Sequence, residues 1–185
     1  MISVEAVAWF FMGEGCAELH VAPARSGNRK GKVEYYIMPR ARISNNEKGL
    51  LDRISNFLIK HKIKHCWEKD FRYHRHYYYT ISINGFEPVC RFLCLIYPYL
   101  FERKKRIAEL ILKATKEFKG EDYAQARRRH NVTDEERQRE RQRITNIMKY
   151  HDEVRLLNGD RRKNQRKYSL KFFEHLWDLR PLEIS

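Results

Sequence analysis

Glu14 is the first residue of this sequence that asks for a chemical explanation. It follows the apolar run Ala6-Val7-Ala8-Trp9-Phe10-Phe11-Met12 and stands between Gly13 and Gly15, so a single carboxylate marks the place where packing residues stop. A second concentration of reactive types is Phe101-Glu102-Arg103-Lys104-Lys105, a short basic segment, and a third is the set of arginines and lysines at 25–32, 40–42 and 160–167. The four cysteines, Cys16, Cys66, Cys90 and Cys94, form no CxxC pair and no dense disulfide spacing, and read as buried thiols. Cys90 and Cys94 stand four apart and His61, His65 and Cys66 cluster upstream, which makes a zinc site conceivable, although no ligand pattern repeats.

The charge narrows the partners. With 38 Lys and Arg against 24 Asp and Glu, the 185 residues carry a formal charge of +14, and such an excess points to a polyanion, most simply nucleic acid. An anionic membrane would compete, but no apolar run approaches the roughly 20 residues that span a bilayer. The N-terminus has an acid and early glycines where a signal peptide has a basic start. A soluble, intracellular protein is therefore expected, with room for one domain and a helical extension.

The elements that must position these residues follow from periodicity. Val4 to Met12 suits a helix buried on more than one face. "CAELHVAPAR" (16–25) and "VEYYIMPRARI" (33–43) alternate around the basic turn "SGNRKGK" (26–32), a two-stranded hairpin. Leu50, Leu51, Ile54, Phe57 and Leu58 fall at helical spacing in 47–63, with Asn45 or Asn46 able to cap the start. A second hairpin spans 64–71 and 76–83. Residues 87–100 form a helix that Pro98 must break, and 106–118 another, which leaves 101–105 as a basic loop between them. Beyond Gly120, the stretch 123–143 is charged on every face and reads as a solvated helix or an arm. Residues 144–158 recover an apolar stripe, 160–167 is a basic loop, and Ser169 can cap a last helix carrying Phe173, Leu176 and Trp177.

A buried apolar helix ending in small-acid-small and running into a strand resembles the LAGLIDADG motif of homing endonucleases, here Val7-Ala8-Trp9-Phe10-Phe11-Met12-Gly13-Glu14-Gly15. "YPYLFERKKRIAELILK" (97–113) and "RITNIMKYHDEVRLLNGDRRKNQRKYSLKFFEHLWDL" (143–179) look like further segments of the homodimeric members encoded in rRNA-gene introns. The resemblance implies an α+β fold in α-β-β-α-β-β-α order, with a curved, antiparallel, four-stranded DNA-binding sheet. It divides the chain into an endonuclease core, 1–120, and a helical C-terminal subdomain, 121–185, with a basic DNA-contacting loop. One motif implies half an enzyme, completed by a second copy through the helix at 4–14.

The implied activity is a metal-dependent double-strand break in a long pseudo-palindromic DNA target, across the minor groove, leaving short 3′ overhangs. Glu14 and the backbone of Gly13 would hold Mg²⁺, with Mn²⁺ or Ca²⁺ as other occupants, since hard cations take oxygen ligands. Matching "LILK" backwards places Lys104 at the family's basic-loop lysine, with Arg103 and Lys105 one residue to either side. Asn45 takes a position where the family often has glutamine. A solvated loop and a helix cap are the plain alternatives for Lys104 and Asn45.

Recognition would come from the hairpins. In the first, Glu18, His20, Arg40 and Arg42 face DNA while Ala17, Leu19 and Val21 face the helices. Arginine reads guanine through two hydrogen bonds, and glutamate can accept one from cytosine. In the second, Tyr78, Thr80 and Ser82 point outward, opposite Glu68 and Arg72. Arg25, Arg29, Lys30, Lys32, Arg75, Arg103, Lys105, Arg161, Arg162, Lys163, Arg166 and Lys167 suit phosphate contact.

Two positions depart from the motif: Trp9 stands where a small residue lets two helices pack closely, and Met12 replaces the first acid. They make a noncatalytic DNA-binding regulator on the same scaffold one alternative, and the basic surface would equally support another, a maturase that helps its host intron RNA fold. The expected compartment is archaeal or bacterial cytoplasm, or an organelle.

Overall fold

The computed structural model describes residues 2–24, 34–72, 76–118 and 133–159. Ser3 opens the first helix, α1 (Val4–Glu14): its hydroxyl accepts from the Ala6 N–H at 3.2 Å, which satisfies one donor that a helix start leaves open. α1 passes without a loop into β1 (Gly15–Ala24), which pairs antiparallel with β2 (Glu34–Asn45). Then come α2 (Lys48–Lys60), β3 (Cys66–Arg72), β4 (His76–Asn84), α3 (Phe86–Ile96), a 3-10 turn at Tyr97–Tyr99, and α4 (Glu102–Phe118). The strands form one antiparallel sheet in the order β1-β2-β4-β3, so each hairpin places its second strand at the centre. The expected α+β order is the observed one.

Burial follows the two-residue period of the strands. Ala17, Leu19 and Val21 of β1, Ile37, Ala41 and Ile43 of β2, and Ile81 and Ile83 of β4 are buried. α1 packs on β1 and β2, α2 and α3 on β2 and β4, and α4 on β1. Phe11 of α1 meets Phe92 of α3 edge to face at 5.3 Å, both fully buried, and this pair joins the N-terminal helix to the rest of the core.

The chain divides into two compact units, Met1–Lys119 and Gly120–Ser185. In the second, α5 (Asp134–Leu157) buries Ile147, Met148, His151 and Val154, while Leu156 is exposed. The last helix expected from Ser169 lies outside the described residues.

Three local expectations are corrected. Residues 101–105 are not a loop between helices: the Phe101 carbonyl accepts from Lys104 N–H at 3.1 Å and Lys105 N–H at 3.2 Å, so Glu102–Lys105 form the first turn of α4. Arginine and lysine are good helix formers, and Glu102 enters the turn at φ +39°. Glu47, not an asparagine, precedes α2 and gives no side-chain cap; Asn45 Oδ1 accepts from Glu47 N–H at 2.8 Å and closes a local turn. The cysteines are not buried thiols: Cys66 and Cys94 are exposed, Cys16 and Cys90 partly so. Within its own chain α1 turns Val7, Ala8 and Phe11 inward and leaves Glu5, Ala6, Trp9 and Gly13 exposed.

Candidate active site and nucleic-acid interface

Glu14 is the last residue of α1 and is exposed. The Gly15 N–H bonds the Phe11 carbonyl, so the turn after Glu14 closes back on the helix. The carbonyls that end a helix have no partners within it, and Gly13 contributes one of them beside the Glu14 carboxylate. Both are hard oxygen donors, the type that Mg²⁺ and Ca²⁺ take. One chain supplies few of the ligands such an ion needs: among the described residues no group of three or more His, Cys, Asp or Glu could hold a metal. The zinc arrangement falls under the same observation, and His65 is engaged elsewhere, its Nε2 lying 2.7 Å from Ser55 Oγ.

Lys104 reaches this end of α1. Its ammonium donates to the Gly15 carbonyl and lies 5.5 Å over the Phe11 ring. Burial holds it below the ordinary lysine range; the Cys16 thiol opposes that shift and the neighbouring Arg103 adds to it. Of the three adjacent basic residues, Arg103 is exposed and Lys105 lies 5.0 Å over the Tyr97 ring, so Lys104 is the one brought to the junction of helix and strand. Asn45 ends β2, two residues beyond the pairing of Ile43 with Gly15, and is tied to Glu47.

The other face of the sheet is polar. Glu18 and Arg40 are cross-strand partners. Arg40 donates from Nε at 2.8 Å and Nη2 at 2.5 Å to one carboxylate oxygen of Glu18; Arg42 Nη2 is 3.5 Å and His20 Nδ1 4.0 Å from the same atom. Farther across, Ser44 and Thr80 share a hydrogen bond of 2.8 Å, and Ser82 donates to Glu68 at 2.6 Å. Thr80 and Ser82 do sit at outward positions, yet they are 8% and 0% exposed, each hydrogen-bonded across to a neighbouring strand, while Glu68 is exposed and Tyr78 half-buried. Arg72 is placed by its pairing with His76. Arg25, Arg29, Lys30, Lys32, Arg75, Arg161, Arg162, Lys163, Arg166 and Lys167 lie outside the described residues.

Three residues take roles at this site that the sequence reading did not assign. Gly15 is required sterically, since a Cβ there would collide with the Phe11 ring and carbonyl. Cys16 shares the outward face with Glu18 and His20, which the two-residue period would have shown; burial and then Glu18 push its thiol up, against the pull of Lys104, Arg42 and Arg40. Phe101 meets Trp9 edge to face at 5.8 Å, and only the fold reveals that contact.

No protein-family model and no curated protein matches the sequence. Solved structures do resemble it. The homing endonuclease I-CvuI in complex with its target superposes with a TM-score of 0.64 at 15% identity, over 95% of this chain and 92% of that one. The archaeal intron-encoded homing endonuclease I-Vdi141I, complexed with DNA, gives 0.59 at 16% identity, over 96% and 97%. The homing endonuclease I-TnaI gives 0.53 at 14%, over 86% and 97%. The chain has the fold of the LAGLIDADG homing endonucleases.

Proposed function

We propose that this protein is a site-specific DNA endonuclease that acts as a homodimer, with Glu14 of each copy at one of two cutting sites. One observation carries the reading: α1 buries one side in its own chain and leaves Ala6, Trp9 and Gly13 exposed, a mostly apolar stripe that leads directly to an exposed carboxylate. Exposed apolar patches of this kind mark protein contacts, and a second copy docked there would bring a second Glu14 alongside the first. A pair of carboxylates, two Gly13 carbonyls and phosphate oxygens from DNA form a donor set that one chain lacks.

A bound divalent cation would supply Lewis acidity to the scissile phosphate and lower the pKa of an attacking water. The chain's own residues prepare that chemistry. Glu14 presents negative charge at the end of α1, Gly13 leaves its side of the helix open, and Lys104 holds a positive charge beside them, able to steady the negative charge that develops on phosphate. Lys104 also fixes the path of β1 through the Gly15 carbonyl, so the polar face of the sheet starts at the reacting end. Asn45, Arg103 and Lys105 would serve as flanking contacts.

On this reading the sheet face lies along the major groove and the cut falls across the adjacent minor groove, leaving short 3′ overhangs. Residues 1–120 would then serve as the nuclease core and 121–185 as a C-terminal subdomain whose basic residues meet phosphate. The known folds that match are homing endonucleases with DNA, which supports DNA over RNA as the first partner. The test uses Mg²⁺ and duplex DNA spanning the intron-insertion locus, with wild type beside Glu14→Gln. Wild type is expected to cut both strands, and the variant to bind without cutting. Binding by wild type with no nicking over a range of salt and temperature would end the nuclease reading.

A further inference from the structure

We propose that Glu18 is a positioning residue that aims Arg40, and through it a guanine-reading edge, rather than a residue that itself reads a base. This rests on the endonuclease reading of the sheet face and goes further by stating which bases the first hairpin selects. One of the two Glu18 carboxylate oxygens is already held within the sheet. Glu18 Oε1 takes Arg40 Nε at 2.8 Å and Nη2 at 2.5 Å, with Arg42 Nη2 at 3.5 Å. The pair is partly buried, side chains 26% and 21% exposed, so it is not a freely solvated surface contact.

The geometry leaves Arg40 competent. A guanidinium has five N–H donors in a fixed plane, and the clamp uses one edge of it, Nε and one hydrogen of Nη2. Among the described residues no hydrogen bond holds the end of the fork, Nη1 together with the second hydrogen of Nη2, and O6 and N7 of guanine accept from such a pair. A long side chain pinned before binding loses less freedom on binding, so the carboxylate adds selectivity without touching DNA. Arg42 stands two residues along the same strand. With a strand rise of about 3.3 Å per residue and about 3.4 Å per nucleotide, the two arginines match guanines about two steps apart.

Full-length wild type, Glu18→Ala, Glu18→Gln, Arg40→Ala and the Glu18→Ala/Arg40→Ala double variant would be used to select duplexes from a randomised pool, with thermal melting as a check on folding. Wild type is expected to enrich a site with two guanines separated by one position. Arg40→Ala should lower preference for one of them by about 5- to 150-fold, the range of one bidentate contact. Glu18→Ala should weaken the same position, the double variant should add little to Arg40→Ala, and Glu18→Gln, whose amide oxygen can still accept from Arg40, should recover most of the preference. A merely structural role would lower affinity evenly across sequences and overturn the proposal. So would loss of a cytosine at a different position in Glu18→Ala. If wild type enriches no sequence at all, the site-specific reading falls and takes this proposal with it.

Discussion

A Cβ at Gly15 would collide with the Phe11 ring and carbonyl, whereas at Gly13 it would meet nothing within 4 Å. The two glycines beside Glu14 thus answer to different demands, one inside the chain and one beyond it. Gly15→Ala is expected to overpack the end of α1 at a cost of about 1–3 kcal/mol, read as a lower midpoint of thermal unfolding, and to reduce cleavage because the carbonyl that Lys104 holds must move. Gly13→Ala should leave the stability of the isolated chain unchanged or slightly raised, as alanine suits a helix better than glycine by about 0.5–1 kcal/mol. Lys104 adds a pH dependence. Burial lowers its pKa in the folded chain, with Cys16 opposing and Arg103 assisting. Between that folded value and the ordinary lysine value, the unfolded chain binds more protons. The contribution of this group to stability therefore rises with pH across that window, while any step that needs the ammonium is lost there. Lys104→Arg keeps its charge and should carry the alkaline limb of the cleavage rate to higher pH; a limb that does not move would show that Lys104 is not the group titrating.

Among the elements, the strands were the most legible, because alternation states both the period and the face. Ala17, Leu19 and Val21 inward with Glu18 and His20 outward needed no partner strand to be read. The burial of Thr80 and Ser82 was not legible: it depends on Ser44 and Glu68, which come from two other strands and meet them only through register. α1 was read as a helix buried on more than one face, and its own chain covers one side of it; apolar composition cannot say whether the covering surface belongs to the same chain. The start of α4 was misjudged because the Phe101 carbonyl begins the helix through a left-handed Glu102, a conformation that glutamate does not advertise. Glu14 stood out by its neighbours alone, whereas the approach of Lys104 to Gly15, 89 positions away in sequence, required the fold. The sheet face offers a test at this scale. Cys66 is exposed and pairs with Ser82 on the outward face, while Cys94 is exposed on α3. If that face covers DNA, a bound target duplex should slow alkylation of Cys66 by a maleimide several-fold and leave Cys94 unchanged, which mass spectrometry of the labelled peptides would resolve. Equal protection at both, or at neither, would place DNA somewhere else.

For the whole molecule, the assembly and the charge lead to linked expectations. Trp9 is 62% and Phe101 55% exposed, stacked edge to face beside open Gly13. The ring of Trp9 is thus drawn toward Phe101, which bears on how a second α1 could approach despite its size. Sedimentation equilibrium should report a dimer for wild type and a folded monomer for Trp9→Glu, with a lower melting midpoint as the subunit contact and the Phe101 contact are lost; a wild-type monomer at all concentrations and on DNA would leave each Glu14 alone and remove the two-site reading. The formal charge of +14 then sets the salt response of the assembled protein. Each phosphate neutralised on duplex DNA contributes a slope of about −0.9 in log affinity against log salt. The cations at Arg29, Lys30, Lys32, Arg161, Arg162, Lys163, Arg166 and Lys167 are expected to make such contacts without reading bases. Replacing Arg161, Arg162 and Lys163 together with glutamine should therefore make the slope shallower by about one per cation in each copy and weaken matched and mismatched sites alike. Fluorescence anisotropy on both duplexes over a salt series measures slope and selectivity together. A slope that the triple variant leaves unchanged would remove residues 161–163 from the interface, and a loss of selectivity at constant slope would assign them to base reading instead.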